Sequence, residues 1–230
     1  MIKKKGAAHL EMIISFVFFL GFVFFLFLTL KPYDMTVLSS SVVAGLYDSF
    51  EERIHTNLTN FFLKAEYTGP SSCFYIQLPN EIFEYGFTKS LVTDVSDVEI
   101  SSEFENNNLN INSNEIFYKV AISPEFHNND LSSCEQLSNY SLGSLIERRV
   151  SSYHSLVNMS TRYIEDYENL KYDLNVPDVF DFGITCKELP EINMERLVPS
   201  LGDVVSRNYV LEVLKDTGEV INARFTIKVW

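Results

Sequence analysis

Residues 12–30 form an uninterrupted run of 19 positions, of which only Ser15, Gly21 and Thr29 are not clearly apolar, and none is charged. No other stretch constrains the fold as strongly. A run of that length reads as a membrane-span candidate. As a helix it is about 28 Å long, close to the thickness of a hydrocarbon core. Sixteen apolar residues favour insertion by roughly 5 to 10 kcal/mol. A buried core helix is the competing reading, and it fails because the run is apolar on every face and sits at a terminus.

The flanks set the orientation. Lys3, Lys4 and Lys5 precede the run and only Lys31 closely follows it. The positive-inside bias therefore places the N-terminus in the cytoplasm and residues 31–230 outside. A secretory signal has a shorter apolar core and a small-x-small cleavage site. The Leu28-Thr29-Leu30-Lys31-Pro32 sequence offers no such site, so the segment is expected to be retained.

Glu11 is the unusual residue, because a carboxylate at the head of an apolar run is costly to bury unpaired. One reading is an interfacial Glu favoured by the positive end of the helix. The other follows from spacing: if the chain is cut after Gly6, Ala7 becomes the first residue and Glu11 the fifth. Lys3-Lys4-Lys5-Gly6, then Ala7-Ala8-His9-Leu10-Glu11, then an apolar run, resembles the class III signal peptide of type IV pilins, especially archaeal ones. The resemblance covers about 25 residues. It implies cleavage by a prepilin peptidase between Gly6 and Ala7. It also implies a retained helix that is first a membrane anchor and then filament core, and a Glu11 that pairs with a neighbouring subunit's new α-amino group. Ala7 and Ala8 depart from the pattern, since a polar residue is more usual there, and the remaining 200 residues are large for a major archaeal pilin.

Residues 31–230 keep 15 basic and 30 acidic residues, once Lys3, Lys4, Lys5 and Glu11 are taken from totals of 18 and 31. That excess argues against nucleic acid and anionic lipid as partners of the head. Beyond Pro32, apolar residues recur every three to four positions from Met35 through Leu38, Val42, Leu46, Phe50, Ile54 and Leu58 to Phe61. The stripe predicts that the helix continues to about residue 64. Tyr67-Thr68-Gly69-Pro70 breaks it, and short strands are predicted at 73–78, 90–93, 98–102, 108–112 and 116–123. The segment 103–108 reads as a hairpin turn, since it lacks the Asp-x-Asp-x-Asp-Gly frame of a calcium loop. A strand is expected over 140–150, a long helix over 151–174, a strand over 179–186, and a C-terminal hairpin of 209–214 with 220–230.

The expected fold is α+β: a long N-terminal transmembrane and amphipathic helix, then a head with an antiparallel β-sheet and one further long helix. The expected parts are a leader (1–6), an assembly helix (7–30), its amphipathic extension (31–66) and an extracellular head (67–230). No nucleotide loop, Gly-x-Ser-x-Gly, His-Glu-x-x-His or Cys-x-x-Cys occurs, and the four histidines show no ligand spacing. No enzyme, cofactor or metal site is expected. Three cysteines in an exported domain allow one disulfide with one thiol left over, or three buried thiols. A Cys73–Cys134 bond closes a long loop and stabilises by roughly 3 to 5 kcal/mol. Asn57, Asn139 and Asn158 begin sequons for N-glycosylation. The expected function is that of a structural subunit, minor or specialised, of a type IV pilus-like surface filament. Its partners are the membrane, a prepilin peptidase and other pilin-like subunits. The alternative is an uncleaved single-pass surface protein with a binding or envelope domain outside.

Overall fold

The computed structural model describes residues 4–29, 35–69, 72–79, 89–127, 131, 134–198 and 203–230; of residues 4–11, 27–29 and 35–37 it describes the backbone alone. Helix α1 (Lys4–Thr29) is followed by α2 (Met35–Ile54), and α2 passes directly into strand β1 (His55–Ala65). Then come β2 (Cys73–Gln77), β3 (Lys89–Thr93), β4 (Glu99–Ile100), β5 (Ser102–Glu105), β6 (Asn108–Asn112) and β7 (Phe117–Ser123). Next are β8 (Glu135–Gln136), β9 (Tyr140–Leu142), β10 (Ile146–Ser152), α3 (Tyr153–Glu165) and α4 (Tyr167–Asp173). The chain closes with β11 (Phe182–Cys186), β12 (Asn193–Met194), β13 (Val205–Leu214) and β14 (Val220–Val229).

The expected α+β layout, with its long N-terminal helix and one further long helix, is corrected by this structure: among the residues described with their side chains, strand outweighs helix, 41% against 28%. The single long N-terminal helix is not present. The predicted extension over 31–66 ends at Ile54, and residues 55–65 form a strand at the centre of the sheet. Leu58 and Phe61 continue the helical stripe by spacing, yet Phe61, Leu63 and Ala65 are buried while Phe62 and Lys64 between them are exposed, which is strand periodicity. Ladders to β7, β9 and β10 fix that outcome. The transmembrane expectation fails as well. Among the described residues no helix is long and apolar enough to cross a membrane. The further long helix is two short ones. Ser151 and Ser152 belong to β10, and Asp166, with φ −145° and ψ 55°, breaks α3 from α4. The sheet is not purely antiparallel either, because β10 pairs with β13, and β2 with β8, in parallel.

The larger sheet runs β12-β11-β14-β13-β10-β1-β7-β3-β4, and a smaller one runs β5-β6-β2-β8. Two cores result. In the first, α2, α3 and α4 cover one face of the β11–β14 region. Phe50 meets Phe225 at 5.7 Å, and Tyr163, Tyr167 and Phe182 form an aromatic cluster. In the second, Phe61, Leu63 and Tyr118 of the larger sheet pack on Phe74, Leu109 and Ile111 of the smaller. The two halves meet where Ser151 and Ser152 pair with Val213 and Leu214. Under that junction lies a small buried cluster of Leu58, Phe126, Val150 and Leu214.

Two turns follow directly from sequence. Asn106 and Asn107 both take positive φ (50° and 65°) between paired Glu105 and Asn108, the type I′ hairpin that Asn favours. Gly218, at φ 82°, ends the three-residue turn between β13 and β14, where Lys215 N–H donates to the Glu219 carbonyl at 3.0 Å.

Candidate functional site

Helix α1 presents apolar side chains to solvent on every side. Met12 is 72% exposed, Phe18 76% and Phe24 68%, and only Val23 and Leu26 of residues 12–26 are half-buried. An amphipathic surface helix would hide one stripe, and this one hides none. Eleven large apolar side chains between Met12 and Phe25 stand exposed. Covering them is worth on the order of 20 kcal/mol before ordering costs. Such a surface marks a contact with lipid or protein. Gly6, Ala7 and Glu11 lie within the helical backbone of α1, but their side chains are outside the described residues.

The predicted cysteine pair is joined: a disulfide links Cys73 at the start of β2 to Cys134, with α-carbons 4.7 Å apart, while Cys186 is a free buried thiol in β11. Burial pushes the Cys186 thiol above its ordinary pKa, so it is held as an unreactive thiol. The three sequons fall in different settings. Asn139 is exposed ahead of β9 and Asn158 is exposed on α3, whereas Asn57 is half-buried inside central strand β1. Among the described residues no three acidic, histidine or cysteine side chains gather as a metal site.

Two concave features lie on the head. A cleft of about 500 Å³ opens on the outer face of β1, β7 and β3. Its floor holds Phe62, Leu91, Ala121 and Ile146, and its rim holds Thr217, Glu219 and the Lys119–Asp97 ion pair at 2.6 Å. Phe62 and Ile146 are 63% and 61% exposed, unusual for large apolar residues on adjacent strands.

The second feature is a fork. The β10–β13 ladder has only two residue pairs, and the strands then diverge toward their N-terminal ends, leaving a crevice of about 280 Å³ beneath α2. Tyr47 of α2 stacks on Tyr209 of β13 with ring centroids 3.8 Å apart. Burial, then the hydrogen bond with Glu51, pushes the Tyr47 hydroxyl pKa up to about 12, so it stays a neutral donor. Arg149 pairs with Glu52 at 2.8 Å and Arg148 with Glu212 at 3.7 Å at the mouth of the fork. Beyond it, β13 bonds to β14 on one side, and among the described residues no strand covers the other side of residues 205–212.

β13 starts at Val205, four residues before the Tyr209 expected from sequence, and the open edge begins in that extension. The alternation of Val205, Arg207, Tyr209 and Leu211 with Ser206, Asn208 and Val210 was the available signal. The Phe62 cleft had none, because its residues come from five separated segments. No protein family, curated protein or solved structure matches this chain.

Proposed function

We propose that this chain is a pilin-like structural subunit of a type IV pilus-like surface filament, minor or specialised, whose α1 packs among the α1 helices of other subunits. The observation that carries the reading is the all-round exposure of an all-round apolar helix. Copies packed side by side bury every face of such a helix, which a groove on a single partner cannot do. The Gly6–Ala7 step and Glu11 supply the processing site and the carboxylate that answers a new α-amino group in the bundle.

N-terminal sequencing of the protein from cells tests this. The expected first residue is Ala7, and the protein is expected in sheared extracellular material. An intact Met1 or Ile2 start in membranes, with nothing in the sheared fraction, overturns it. Glu11→Ala is expected to remain membrane-associated but to fail in assembly.

A second reading has its own support in the Phe62 cleft: an uncleaved surface protein whose head binds a ligand there. Phe62→Ala separates the two, since it leaves filaments intact under the first reading and removes the binding surface under the second.

A further inference from the structure

The phase of the C-terminal hairpin decides where β13 has unused hydrogen bonds. Lys215 and Glu219 form the closing pair of the turn. Antiparallel pairs alternate between bonded and non-bonded positions. The register Leu214↔Val220 through Val205↔Val229 therefore assigns Val213, Leu211, Tyr209, Arg207 and Val205 as the residues that bond to β14. The N–H and C=O groups of Ser206, Asn208 and Val210 consequently point to the open side. All three residues are exposed, Val210 by 63%.

Sheet edges of this length are normally guarded by lysine, proline, a bulge or an inward charge. Residues 205–211 contain no proline, lysine or acidic residue, and β13 pairs with β14 without a bulge over its whole length. The only charge is Arg207, which donates to the Ser40 hydroxyl of α2. On a chain of formal charge −13 this is a strip without negative charge. Glu212, which closes the open stretch, is paired with Arg148, so two copies approaching through residues 205–211 meet little repulsion.

We propose that this edge pairs with itself, joining two copies of the chain antiparallel about Asn208. The register follows from side chains. Centring on Asn208 sets Ser206 against the partner's Val210 and Arg207 against the partner's Tyr209, with two backbone bonds at each of three pairs. Centring the two-fold on Arg207 puts like charges directly opposite, which is destabilising. The contact is isologous, so it closes as a dimer. It does not depend on α1.

Single cysteines in the full chain, in detergent micelles, test this pairing with a short bis-maleimide. Cys73 and Cys134 are bonded and Cys186 is buried, so the new thiol is the reactive one. Paired residues at 208 have α-carbons about 5.5 Å apart. Two copies of position 210 lie four residues out of register, about 14 Å apart. Asn208→Cys is expected to cross-link. Ser206→Cys and Val210→Cys are expected not to link alone, but to link to each other when mixed. Adding Val210→Pro to Asn208→Cys removes an outward N–H without touching the β14 ladder, and the link is expected to vanish while Trp230 fluorescence stays native. Phe18→Glu, which blocks α1 packing, is expected to leave the link intact, so failure of the filament reading and failure of this one give different results. Equal linking at 206, 208 and 210, loss of the link in Phe18→Glu, or no link in a folded protein each overturns the proposal; the last would leave the edge to a different polypeptide.

Discussion

Phe126→Ala should uncouple the two halves of the head. Phe126 is 1% exposed and sits in the cluster with Leu58, Val150 and Leu214, over the two residue pairs that join β10 to β13. Removing a buried Phe ring costs about 3 to 5 kcal/mol through lost transfer energy and the cavity left behind. Here the cavity opens in a small cluster between two larger cores, so neither core loses its own packing. The expected result is a loss of that size together with a loss of cooperativity. Trp230, the single tryptophan, follows β14 in the first half and reports on that half alone, while far-ultraviolet circular dichroism reports on both. Urea unfolding of the full chain in detergent should give coincident curves by the two probes in the parent protein and separated midpoints in the variant. Coincident curves with a loss under about 1 kcal/mol would refute the reasoning, because substitutions away from buried features fall in that range.

Asp173 joins three helices, accepting from Arg162 at 2.8 Å and lying 3.4 Å from Arg53. The Arg162 hydrogen bond holds its carboxyl below the usual range, with Arg53 adding to the effect. A depressed carboxylate contributes stability that is present above its unfolded pKa and lost as pH falls through the folded one; thermal melts of Asp173→Asn should therefore lie below those of the parent at neutral pH and converge with them under acid, below about pH 4. Cys73→Ser opens a loop of sequence separation 61 and should cost about 4 kcal/mol in denaturant unfolding. In the parent, one cysteine should alkylate after unfolding without reductant and three with it; three without reductant would show that the bond is not formed.

Local chemistry made the turns and hairpins legible, because Asn106-Asn107 and Gly218 carry their own backbone requirements. The apolar character of α1 was equally plain. What failed was the segment after Ile54, where Leu58 and Phe61 continue the helical spacing while the outcome rests on strand partners 53 to 96 residues away. Ser152 serves twice: it is the last residue of β10, and from there it caps α3 by accepting from Ser155 N–H at 2.8 Å. Parallel pairing of β10 with β13 left no local trace, and the fork and open edge exist only because of it.

The direct passage from Ile54 of α2 to His55 of β1 has a mechanical meaning. A load applied along α1 and α2 enters β1 at its end and runs along the strand, between β7 on one flank and β10 and β9 on the other. The ladder bonds lie across that pull, so they are sheared as a group instead of being opened one at a time. A head pulled against its helices would thus yield last at the strand through which it is held.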